Sequence, residues 1–231
     1  VSLLAEFGTM VSTRATPRDE PRSMVIRRRV VVGVVLVLGA VLLGISLNQK
    51  PGDPAFYWLT LGLAAVWAIG ARLSGPLHLG HLRFRTRSRR PVLTGTFIGL
   101  LVGGAFIVGG LVARQIPPVR DYIVQVLEFA NYGPLLLVVF ITVVNGVAEE
   151  MFFRGALYSA LGSFQPVLVS TLVYVVAVSA AGNPMLGFAG LILGYVCAYE
   201  RRMTGGVLAP MLTHFFWGLV MVLALPPIFG V

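Results

Sequence analysis

Between Gly133 and Leu161 the chain reads GPLLLVVFITVVNGVAEEMFFRGALYSAL. From Gly133 to Ala148 no residue is charged. Glu149, Glu150 and Arg154 then follow inside the same apolar stretch, and no other formal charge occurs before Glu200. A run of this length is what a helix needs to cross a bilayer, about 20 residues. Its reading decides the fold, because the rest of the chain is built the same way.

Further apolar runs cover about Val30–Leu47, Ala55–Ala71, Val92–Val112, Pro166–Ala180, Met185–Tyr199 and Gly205–Leu225. Several are rich in glycine and alanine, as expected where helices pack closely in a membrane. The apolar fraction is 57% and the charged fraction 12%, against about 45–50% and about 25% in soluble domains. Mean hydropathy is +0.86. The fold class expected is therefore all-α, a polytopic transmembrane helical bundle of about seven spans, within a range of six to eight. Its solvent, and first partner, is the lipid bilayer.

The net charge of +9 does not indicate a nucleic-acid partner. Arginines gather in short loops between apolar runs, as they do on a cytoplasmic membrane face, and aromatic-rich basic patches are absent. Arg27 to Arg29, the Arg72–Arg90 loop, Arg154 and Arg201-Arg202 alternate with connections that are neutral or balanced. That alternation places the amino terminus inside and the carboxyl terminus outside across seven spans. Residues 1–26 read as a disordered polar tail. Val30–Leu47 is too long for the h-region of a signal peptide and reads as a first span. Cys197 lies alone in an apolar run and reads as packing. His78 and His81 lack an acidic or thiol ligand beside them, so they do not read as a metal pair.

The chemistry concentrates on the three charges. Each ionised group at a helix centre costs about 2.5–3.5 kcal/mol, so three unpaired ones would cost roughly 8–10. Glu150 and Arg154 stand at i and i+4 in the acid-before-base order, which predicts an internal ion pair. Glu149 points about 100° away, with Asn145 and Phe153, free to face the bundle interior as a general base on water. The plainer alternative is that all three snorkel at the interface with no catalytic task. His214, about ten residues into the last run, either hydrogen-bonds a neighbouring helix or joins the acids as a metal ligand or an oxyanion donor. Tyr174 and Ser179 are placed to reach the same cavity.

Glu149-Glu150-Met151-Phe152-Phe153-Arg154 resembles the EExxxR motif of the CAAX-protease and bacteriocin-processing (CPBP, or Abi) intramembrane proteases. Glu200 to His214 resembles the stretch leading into that family's HxxxN motif. The likeness covers roughly Gly133 to Leu225. It implies a protease-like core at 131–231, while the apolar runs over 27–130 read as N-terminal transmembrane helices, the whole in an integral protein of a bacterial plasma membrane. It implies hydrolysis of membrane-associated peptides or proteins, with Glu149 as the water-activating base, His214 as its helper, and Glu150 and Arg154 in support. The family has been described both as metalloproteases and as metal-independent glutamate proteases, so a divalent metal is left open. Two positions depart from the pattern. Val178 stands where the FxxxH motif has histidine, so the usual two-histidine metal set is incomplete, and Gly218 stands where HxxxN has asparagine. An alternative expectation follows from them: a catalytically impaired member that acts as a membrane scaffold or immunity factor.

Overall fold

The computed structural model describes Ala15, residues 20–84 and residues 87–231. Among them the chain forms eight helices: α1 (Arg22–Leu47), α2 (Pro54–Ser74), α3 (Val92–Ala113), α4 (Pro117–Asn131), α5 (Leu135–Leu161), α6 (Pro166–Ser179), α7 (Pro184–Thr204) and α8 (Leu208–Phe229). Between α2 and α3 a short antiparallel ribbon pairs β1 (Leu82–Phe84) with β2 (Arg87–Arg89), Leu82 opposite Arg89.

Local chemistry sets several of the boundaries. The Asp53 carboxylate accepts from the Ala55 amide at 2.8 Å, with Pro54 in the first turn of α2. Asn183 does the same for α7 through the Met185 amide at 2.9 Å, ahead of Pro184. A capping oxygen followed by proline satisfies an orphan N–H and presets φ for the helix. Gly205, at φ +68°, closes α7 in the left-handed conformation that glycine adopts without strain.

Five helices (α1, α2, α3, α5 and α8) are long and apolar enough to cross a membrane. The shorter α6 is apolar, and α7 ends in Glu200, Arg201 and Arg202. Contacts between helix ends define two poles. At one, Arg27 Nε donates to the Leu73 carbonyl at 2.9 Å and Arg29 Nε to that of Ala160 at 3.2 Å. The 75–90 loop joins the α7–α8 turn there, through His81 N to Thr204 O at 2.9 Å and Val207 N to His78 O at 2.8 Å. At the other pole Asn183 Nδ2 donates to Tyr122 O at 2.8 Å. Every helix except α4 runs between the poles, which agrees with about seven passes. The basic residues Arg27, Arg28, Arg29, Arg72, Arg201 and Arg202 collect at the first pole.

Two differences from the sequence reading stand out. The connection from Arg114 to Tyr132 contains a helix, α4, with Pro117 and Pro118 in its first turn and charges on one side. Its mixed charge hid it in a search for apolar runs. The polar tail expected over 1–26 lies mostly outside the described residues, and residues 22–26 open α1.

The bundle has two kinds of core. Trp67 of α2 lies against Phe152 and Phe153 of α5, with ring centroids 4.6 and 5.2 Å apart, and Gly39 of α1 leaves room for the indole. Along α3, Gly95, Gly99 and Gly103 face α8 directly. A Cβ on Gly95 would meet the Ala209 carbonyl at 2.6 Å, and one on Gly99 the Thr213 carbonyl at 2.7 Å. Backbone approach of this kind is how membrane helices gain dispersion energy without a hydrophobic effect between them.

Candidate active site

Asn145, Glu149, Glu150 and Arg154 all sit on α5. Immediately after Glu150 the helix widens into a π-helical segment, Met151–Leu157, whose seven residues are all buried. Such segments re-aim side chains and recur at functional sites.

Glu150 and Arg154 are completely buried. Arg154 Nη1 donates to Glu150 Oε1 at 3.0 Å and Nη2 to the Gly194 carbonyl of α7 at 2.8 Å. The guanidinium also lies 4.7 Å from the centroid of the Tyr174 ring. His214 Nδ1 sits 2.9 Å from the same Glu150 oxygen. An ionised carboxylate only accepts, so Nδ1 carries a proton, and in the neutral ring the lone pair is then on Nε2. That lone pair faces Glu149, with Nε2 at 4.0 Å from Glu149 Oε2. The same Glu149 oxygen accepts from the Tyr174 hydroxyl of α6 at 2.7 Å. The imidazole can come this close to α5 because residue 146 is glycine; a Cβ there would lie 2.8 Å from His214 Cδ2.

The structure thus brings Glu149, Glu150, Arg154, His214 and Tyr174 into one cluster. It does not bring in Asn145, whose amide donates to its own helix at Ile141 O, 3.0 Å. Ser179 lies against Gly187 toward the far pole. Val178, one turn beyond Tyr174, packs on Gly190, its Cγ2 2.9 Å from where a Cβ would stand. Gly218 faces Thr142 of α5, so neither departure from the family pattern supplies a hydrogen-bond donor. His78 and His81 belong to the loop at the basic pole.

Glu150 Oε1 is shared by Arg154 and His214, and Glu150 Oε2 is buried without a hydrogen-bond partner among the described residues. Among the described residues no three histidine, cysteine or acidic side chains converge to hold an ion.

Sequence reasoning passed over Glu200. It is 3% exposed, and its Oε1 lies 2.9 Å from the Thr213 hydroxyl, which is itself 3.0 Å from the Gly95 carbonyl. In the sequence it merges with Arg201-Arg202 as a polar loop. The signal was helical phase: three residues after Cys197, it continues the buried face of α7.

Residues 131–220 match the family model for type II CAAX prenyl endopeptidase, Rce1-like. No curated protein and no solved structure matches the chain.

Proposed function

We propose, from the match of residues 131–220 to the type II CAAX prenyl endopeptidase, Rce1-like family model, that this integral membrane protein is an intramembrane endopeptidase that hydrolyses peptide bonds with a water activated by Glu149. One observation carries the reading. Two acceptors, Glu149 Oε2 and His214 Nε2, face each other at 4.0 Å, and each side chain is held by a hydrogen bond, from Tyr174 and to Glu150 respectively. A single water can donate one hydrogen to each and turn its lone pair toward a carbonyl carbon. Glu149 takes the proton as the oxygen adds. The C–N bond then breaks and the proton passes from Glu149 to the leaving amine, giving a free carboxylate and a free amine. Glu150 orients His214, and Arg154 compensates the Glu150 charge.

Substrate access is through the bilayer. An apolar cleft of about 380 Å³ opens between α2, α5 and α8, lined by Leu61, Ala68, Val144, Ala148, Met151 and Phe215. The cleft runs beside the site on α5 and α8, and neither glutamate, Tyr174 nor His214 lines it. The cleft suits the apolar part of a membrane-associated peptide. The arginine-rich pole is the cytoplasmic one by the positive-inside rule, which sets the chemistry nearer that face.

A second reading has its own observation. Val178 and Gly218 offer no donor to a developing oxyanion, and losing one such donor costs about 10²–10³ in rate. On that reading the bundle is a silent scaffold or immunity factor. The two separate in one experiment: the purified protein in liposomes, a fluorogenic library of apolar peptides, and Glu149→Gln alongside. The protease reading expects cleavage by the wild type and a loss of about 10²–10⁴ in the variant. Identical background rates for both would leave the scaffold reading.

A further inference from the structure

Tyr174 does more than pack α6 into the bundle. Its ring is 4% exposed and sits in a slot: Gly194 and Gly190 of α7 on one side, where a Cβ would lie 3.0 and 3.5 Å from ring carbons, the Arg154 guanidinium at 4.7 Å, and the edge of Phe153, with centroids 4.8 Å apart. A ring fixed on these sides delivers its hydroxyl to one place. That place is Glu149 Oε2, the same oxygen that looks at His214 Nε2.

The separation of 4.0 Å between that oxygen and Nε2 suits two acceptors. Were Nε2 to take up a proton, the two would close to a charge-assisted contact of about 2.7–2.9 Å. Closure by roughly an ångström removes the space for a water between them. The hydrogen bond from Tyr174 opposes it, because the carboxylate oxygen is tied at 2.7 Å to a hydroxyl whose ring is fixed, and a shift of about an ångström strains that bond.

We propose that Tyr174 is a positioning residue: its hydroxyl holds Glu149 back from His214 and so keeps the pair at a distance that one water bridges. The kinetic consequence rests on the protease reading; the spectroscopic one rests on geometry alone.

Tyr174→Phe removes the hydroxyl and leaves the ring contacts. With a cleavable peptide, kcat is expected to fall about 10–100-fold while KM stays within about twofold, because an interaction with the base is lost and none with the ground-state substrate. The chain has three histidines, so a His78→Asn/His81→Asn background leaves His214 as the only imidazole. Its side-chain ¹⁵N spectrum is expected to show the neutral Nδ1–H tautomer with Tyr174 and a doubly protonated ring in Tyr174→Phe at the same pH. An unchanged spectrum overturns the proposal. So does an unchanged kcat in a protein that Glu149→Gln inactivates, and that outcome leaves the protease reading standing. If the wild type itself cleaves nothing, the protease reading falls and the spectrum alone decides. Should Tyr174→Phe not fold, 3-fluorotyrosine at 174 keeps the shape and strengthens the donor; an unchanged kcat there would equally overturn the proposal.

Discussion

Thr213 and His214 are neighbours on α8, yet they are held by different physics. Thr213 faces α3 and α7, where its hydroxyl meets the Gly95 carbonyl and Glu200 and glycines bring two backbones together. His214 faces α5, where its ring is clasped between Glu150 and Glu149. On the α3 side the contact is made by shape, from residues with no chemistry to offer. On the α5 side it is made by charge, in a place where unpaired charge is expensive. The shaped side fixes where α8 lies, and the charged side uses that position. A site needing ångström-level placement is thus anchored by a seam that does not take part in it.

Substitutions on each side pull the two apart. The largest effect is expected from Arg154→Met, which leaves Glu150 buried without its cation. Breaking a buried pair from one side costs about 3–5 kcal/mol, read as a lower unfolding midpoint in detergent or lipid. On the seam, Gly99→Ala presses a methyl onto the Thr213 carbonyl, 2.7 Å from the new Cβ. Overpacking of this kind costs about 1–3 kcal/mol, and activity should fall with it, since the push arrives one residue from His214. Removing the threonine hydroxyl in Thr213→Val takes its contacts from the Gly95 carbonyl and Glu200 and costs about 1–2 kcal/mol, with cleavage by the folded fraction retained. Gly104→Ala is the control: on the same helix, with nothing within 4 Å of the added Cβ, it should stabilise α3 by roughly 0.5 kcal/mol. A seam in which Gly99→Ala and Gly104→Ala behaved alike would not be the anchor described here.

The spans and the Glu150–Arg154 pair were legible because they depend on neighbours three and four residues apart or on runs of one character. Helix α4 was not, since its apolar positions Val119, Ile123, Val126 and Leu127 carry a helical period that its charges mask in any search for apolar runs. The π-helical segment after Glu150 was not legible either, because nothing in Met151–Leu157 differs in kind from an ordinary helix. The sequence put Tyr174 near the cavity without showing that its hydroxyl lands on Glu149. That contact joins residues 25 apart and depends on how α6 leans on α7 over Gly190 and Gly194. Glu200 was lost for the opposite reason, its buried role concealed by two arginines beside it.

The central claim is that Glu149 and His214 act on one water as a pair. A double-mutant cycle in liposomes tests it most directly, with kcat/KM measured for the wild type, Glu149→Gln, His214→Gln and the double variant. Residues that work as a unit are non-additive, so the double variant should be no slower than the slower single one. Losses that multiply would show two independent contributions and contradict the shared site.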